Sequence, residues 1–116
     1  ELDKVFATTE VTLDGNRAPG VRTQETNLGD FAADAILWSA KQALGEDKVD
    51  VALTNGGGIR ASIEAGDITM NTMKTVFPFG NEVATIELTG ADLLEALEAA
   101  TCSTPPPSAP FPRWRA

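Results

Sequence analysis

Three consecutive glycines, Gly56–Gly58, interrupt the stretch VDVALTNGGGIR. Bare backbone of this kind loses more freedom on ordering than any other and packs nothing, so it suits neither a helix interior nor a strand interior. The run therefore forces a turn at the end of VDVAL (49–53), which is short, β-branched and bounded by polar residues, and reads as a central strand. Two readings of the turn stay open. Either the glycines only permit a sharp crossing, with Arg60 on the surface, or their N–H groups point at an anion or a carbonyl. GGGIR lacks the Lys-Ser/Thr of a GxxxxGK[ST] loop and opens no dinucleotide fingerprint.

The remaining elements are arranged around that strand. VFATTEVTL (5–13) places Val5, Ala7, Thr9, Val11 and Leu13 on one face, which predicts a strand or an extended lead-in. DGNRAPG is a loop with turns at Asp14-Gly15 and Pro19-Gly20. The longest helix is expected in VRTQETNLGDFAADAILWSAKQALG, capped by Asn27 with Asp30 three residues on, and ended by Gly45. Leu28, Phe31, Ala32, Ala35, Leu37 or Trp38, Ala43 and Leu44 form its apolar stripe, with Trp38 against the sheet. Ile63 and the 66–69 stretch suggest a brief extended piece, and NTMKTV a helical turn or two before Phe77-Pro78-Phe79-Gly80-Asn81. VATIEL (83–88) alternates and predicts a strand. Thr89 and Asp92 make a capping box for ADLLEALEAA, whose Leu93, Leu94, Leu97 and Ala100 share a face.

Five prolines in the 16 residues of TCSTPPPSAPFPRWRA exclude a helix or an interior strand there and leave Trp114 unplaced. Nothing ordered by pattern follows the last apolar helix, so a truncated or proteolysed domain, prone to self-association, is expected. At 116 residues there is room for one domain, and 42% hydrophobic residues suffice for a core. The net charge of -8, from 17 acids and 9 bases, argues against nucleic acid as a partner. A small anion is still admissible where arginines converge. No run of about 18 apolar residues occurs, so no transmembrane segment is predicted, and the first residues carry no signal-peptide core. Cys102 is the only cysteine and there is no histidine, which excludes an intrachain disulfide, a cysteine-built zinc site and imidazole catalysis.

Arg17 and Arg22 flank the turn before the long helix, at the kind of loop where ligands settle. A plainer reading makes them solvated partners of Glu10, Asp14 or Glu25. Of Phe77 and Phe79, one reads as core and the other, beside Gly80-Asn81, as an exposed stacking platform. Met70 and Met73 read as core or rim. The acids are spread as solvated faces, with no pair spaced for metal or acid–base work.

VRTQETNLGDFAADAIL, VALTNGGGIRASIEAGDIT and VFPFGNEVATIELTGADLLEALE together resemble one family: the C-terminal, substrate-recognising domain of the 5′-nucleotidases, a group with UDP-sugar hydrolases and 2′,3′-cyclic-nucleotide phosphodiesterases. The resemblance implies an α+β fold, a mixed β-sheet packed with helices, incomplete here. It divides the chain into a lead-in from an N-terminal metallophosphoesterase domain (1–16), the recognition domain (17–100) and a proline-rich tail (101–116).

By the same resemblance Arg22 and Arg60 contact the substrate, joined by Arg17, where DGNRAPGVR runs one residue longer than the family's usual spacing. Gly57 and Gly58 bring backbone close to the nucleotide. Asn55 reaches the base or ribose, Phe79 is the first aromatic of a clamp around the base, and Asn81 a neighbouring hydrogen-bonding residue. The family's second clamp aromatic and ribose-binding aspartate belong to a later FxxxGGDG-like motif that this sequence lacks. Two divalent metal ions and a His-Asp pair are implied in the catalytic domain, and no cofactor in this chain. The implied partners are a nucleotide or nucleoside, the catalytic domain and the remainder of the recognition domain. The implied location is periplasmic, cell-surface or secreted, and the chain alone is expected to be inactive. The competing reading is a structural or interaction module with a degenerate nucleotide site.

Overall fold

A computed structural model describes residues 1–102, 106, 110 and 112–116. Most of the proline-rich stretch thus lies outside the described residues. The elements run β1 (Val5–Thr9), α1 (Asn27–Leu44), β2 (Ala52–Asn55), β3 (Gly66–Thr69), α2 (Met70–Val76), α3 (Gly90–Thr101) and β4 (Pro112–Arg115). The fold is α+β, with two antiparallel strand pairs, β1 with β3 and β2 with β4. Beyond β1 the chain stays beside the segment preceding β3, through an isolated antiparallel bridge between Leu13 and Ile63.

The core forms where these segments meet. Val21, Leu28, Ala32, Ile59, Ile63, Ile68 and Val76 are buried together, with Ala7, Leu13, Ala61, Met73 and Phe77 packed against them. Burial of this apolar surface is the main favourable contribution to the fold. Its members come from a loop, α1, the segment after the glycine turn, β3 and α2. The same apolar contacts that stabilise the domain therefore also anchor the loops carrying Arg22 and Arg60.

Local signals predict several boundaries well. α1 ends at Gly45, whose φ of 116° lies in the region open to glycine and whose N–H reaches the Lys41 carbonyl at 2.9 Å. Thr89 and Asp92 form the expected capping box of α3. Thr69 and Thr72 form another at α2, which follows β3 without a break.

Other expectations are corrected. The cap of α1 is Thr26, whose buried hydroxyl accepts the Gly29 N–H at 3.0 Å. Asn27 lies one residue inside the helix. The buried face of α1 is Leu28, Gly29, Ala32, Ala33, Leu37 and Ala40, while Phe31 and Trp38 are 51% and 66% exposed. Small residues face inward because β4 crosses the helix closely: a Cβ on Gly29 would come within 2.5 Å of the Arg113 Cδ. The strand expected at 49–53 begins later, at Ala52, and has one partner among the described residues rather than two. That partner is β4, so the end of the proline-rich tail is a strand, with Pro112 at its first position, where no interior ladder donor is needed. Trp114 lies opposite Leu53. Every residue of the alternating segment 83–88 is exposed, and the segment forms no strand, because no described strand lies beside it. α3 buries none of its residues, and Leu94 is exposed.

Candidate functional site

The glycine turn is short and tight. Gly56–Gly58 form one helical turn, closed by the Ile59 N–H on the Gly56 carbonyl at 3.2 Å, with Gly56 and Gly57 buried. Ile59 enters the core and Arg60 emerges from it, exposed. The Arg60 guanidinium folds back, Nη1 donating to the Gly57 carbonyl at 3.2 Å. Asn55, exposed at the end of β2, has its Oδ1 beside Gly58, 3.5 Å from where a Cβ would stand.

Arg17 and Arg22 belong to the loop between β1 and α1. Its backbone bends through the Val21 N–H on the Asn16 carbonyl at 2.8 Å and the Thr23 and Gln24 N–H groups on the Gly20 carbonyl, both at 2.9 Å. Val21 is fully buried, which drives the loop onto the core and leaves Arg22 half-buried and Arg17 exposed. The Arg22 pKa is lowered, first by burial and then by the positive charges of Arg17 and of Arg60. Loops that are distant in sequence thus bring three guanidinia into one electrostatic neighbourhood. A guanidinium keeps its charge throughout the physiological range.

The aromatic candidates follow α2. Phe77 packs on the core, while Phe79 is 55% exposed and Asn81 is exposed with no hydrogen bond to a described residue. Two clefts lie elsewhere. One, of about 710 Å³, is lined by Leu97 and Thr101 of α3 with Arg113, Trp114 and Glu25; the other, of about 340 Å³, by Ser62, Asp67 and Asn71 among others. Neither is lined by any of the eight candidate residues.

A model of the family "5′-nucleotidase, C-terminal domain" matches residues 5–112. The chain belongs to this family. It is 53% identical over 90 residues, 78% of its length, to the trifunctional nucleotide phosphoesterase protein YfkN of Bacillus subtilis, and covers 6% of that protein. It is 41% identical over 97 residues, 84% of its length, to a 5′-nucleotidase of Vibrio parahaemolyticus, covering 16% of it. The crystal structure of a 5′-nucleotidase precursor from Thermus thermophilus superposes with a TM-score of 0.89 at 38% identity, over 97% of this chain and 21% of that one. The sequence thus spans a small part of the length of these relatives.

The two metal ions of the family resemblance do not fit the residues present. Among the described residues no group of three or more Asp, Glu, Cys or His side chains converges on one point, and the sequence has no histidine. Among the described residues, no helix is long and apolar enough to cross a membrane.

Two features go beyond what the sequence predicts. Arg113, from the unplaced tail, is 4% exposed. Its pKa is lowered by burial, against the opposing pull of Asp30 and Glu25. Asn27, read as a cap, instead ties down the segment leading to Arg17: its Nδ2 donates to the Thr12 carbonyl at 3.0 Å and its Oδ1 accepts the Asp14 N–H at 2.7 Å. The one signal for the latter was the neighbouring Thr26, an equally good cap that frees Asn27 for other work.

Proposed function

We propose that this domain recognises the nucleotide for a 5′-nucleotidase-type phosphoesterase that hydrolyses nucleotides to nucleoside and phosphate. The observation that carries the reading is that the Leu13–Ile63 bridge and the Gly15–Ala61 contact bring the segments bearing Arg17, Arg22 and Arg60 together, on a chain whose net charge is -8. An acidic protein that concentrates guanidinia at one place gains most from a small, multiply charged anion there. Asn55 and the backbone of Gly57 and Gly58 adjoin Arg60 and supply polar contacts. Phe79 supplies a face for the base, with Asn81 two residues on. The names of the relatives, a nucleotide phosphoesterase and 5′-nucleotidases, support the same substrate class. Hydrolysis itself we assign to a metal-bearing catalytic domain of a longer polypeptide, working in the periplasm, at the cell surface or after secretion.

The experiment is a calorimetric titration of the 116-residue chain with AMP, adenosine and inorganic phosphate. AMP is expected to bind more tightly than either part, yet more weakly than about 10 μM, since only one aromatic wall is offered. Added divalent metal should produce no AMP hydrolysis. The reading is lost if AMP binds no better than phosphate, or if Arg22→Ala leaves AMP binding unchanged. A structural or interaction module is the second reading, favoured by the wholly exposed 83–88 segment and by α3, which buries nothing.

A further inference from the structure

Three like charges do not stay together unaided, and most of the contacts that fix the segments carrying them are made by uncharged residues. The chain from Thr12 to Asn16 is fixed at nearly every residue. Leu13 and Ile63 exchange both backbone hydrogen bonds, at 2.8 and 3.0 Å, around a fully buried Ile63 side chain. Gly15 is buried against the other segment: a Cβ there would collide with the Ala61 carbonyl, so the two backbones touch where only glycine fits. The Gly15 N–H donates to Ser62 Oγ at 2.9 Å. The Asn27 amide in turn spans the Thr12 carbonyl and the Asp14 N–H. Asp14 Oδ1 then accepts the Asn16 N–H at 2.9 Å, which turns the chain into Arg17.

The consequence is a matter of sequence adjacency. Ala61, which Gly15 touches, directly follows Arg60, and Arg17 comes two residues after Gly15. The junction therefore fixes the distance between the two arginine-bearing segments, and the Val21-to-Asn16 bond carries the same constraint on to Arg22.

We propose that Gly15, Ser62 and Asn27 form a clamp that sets the spacing of the three guanidinia, and so act as positioning residues for the phosphate of the ligand. This rests on the nucleotide reading above. A charge cluster held in advance binds an anion without first gathering its own donors, whereas a loosened one must overcome its repulsion in each binding event. Asn27 is exposed, and its bonds lie at the surface. Their loss falls mainly on ligand affinity, with little effect on stability.

The test uses the 116-residue chain, with AMP binding followed by NMR on the arginine Nε–Hε signals and thermal melting recorded in parallel. Ser62→Ala and Asn27→Ala should each weaken AMP about three- to tenfold. Melting temperature should move little, and Ser62→Thr should recover most of the affinity. Gly15→Ala tests the backbone contact but also threatens folding, so Ser62 and Asn27 carry the test. If both variants bind AMP like wild type while Arg60→Ala weakens it, the clamp is refuted and the nucleotide reading survives. If Ser62→Ala loses affinity only in step with a collapse in melting temperature, and Ser62→Thr restores neither, the residues are merely structural and the proposal fails. If Arg22→Ala and Arg60→Ala bind like wild type, or AMP shifts no signal up to about 10 mM, the nucleotide reading falls and takes the clamp with it.

Discussion

The backbone N–H of Arg60 donates to the carbonyl of Val76 at 2.9 Å, tying the residue after the glycine turn to the end of α2. Val76 is 1% exposed and Ile59 is 4% exposed, so the hook is set in the core. Phe79 comes three residues after Val76, and chain reach alone keeps its Cα within roughly 10–11 Å of that carbonyl's residue. A guanidinium and an exposed aromatic ring are thus hung from one fixed point.

Arg60 offers the most direct test of the charge cluster in a longer phosphoesterase that carries this domain. Arg60→Ala should remove a charge-assisted contact worth about 1.5–3 kcal/mol, which is about ten- to hundredfold in kcat/KM. Arg60→Lys should recover only part, since a point charge does not reproduce a planar fork. Because the side chain is exposed and its one described bond is to the Gly57 carbonyl, folding should be little affected. Equal kinetics for the three forms would make Arg60 an ordinary surface residue.

How far the sequence speaks for itself depends on the range of the interaction. Gly45 as a stop and the Thr89–Asp92 box were legible because cap and helix lie within four residues of each other. Asn27 was misread as a cap because two adjacent residues both suit that role, and only the distant carbonyl of Thr12 decides between them. The pairing of β2 with the end of the proline-rich tail was invisible, since prolines argue against a strand and nothing local announces a partner. For the same reason the alternation in 83–88 predicts a strand that has no neighbour among the described residues. Arg17, Arg22 and Arg60 could be picked out by residue type, yet their proximity follows from the Leu13–Ile63 bridge, a long-range contact with no local signature.

Gly29 and Arg113 should behave as one unit. Alanine at Gly29 would set its Cβ 2.5 Å from the Arg113 Cδ and 2.8 Å from its Nη1, and the buried arginine has little room to retreat. Gly29→Ala should therefore destabilise the chain by about 1–3 kcal/mol, read as a lower urea midpoint. In an Arg113→Ala background the same change should have a much smaller effect, because the obstructing side chain is gone. Strict additivity of the two substitutions would show that β4 does not lie across the start of α1.

The exposed 83–88 segment predicts association. Val83, Ile86 and Leu88 are 53%, 78% and 50% exposed, and no backbone group of this segment is hydrogen-bonded to a described residue. Unpaired extended backbone with apolar side chains is a template for pairing with another chain. At tens of micromolar and above, the 116-residue chain should sediment as a species heavier than 12.2 kDa. Ile86→Lys should return it towards the monomer without lowering its melting temperature. A cooperative monomer at all concentrations would refute this.

Phe79 separates a base-recognising site from a general anion site. Its ring is more than half exposed, whereas Phe77 packs on the core, so the two should fail differently. Phe77→Ala should lower stability by about 2 kcal/mol, less than a fully buried phenylalanine would. Phe79→Ala should leave folding intact and weaken nucleotides by the roughly 1–3 kcal/mol of a base–aromatic stack, similarly for every base. In a longer phosphoesterase that loss should appear as a raised KM for nucleotides, with little change for p-nitrophenyl phosphate, which has no base. Phe79→Leu keeps the apolar bulk and loses the π face, so it should resemble the alanine form if stacking is the role. A leucine form with wild-type KM, or a p-nitrophenyl phosphate KM that rises in parallel with that for nucleotides, would remove Phe79 from the base site and leave the arginines as a phosphate site alone.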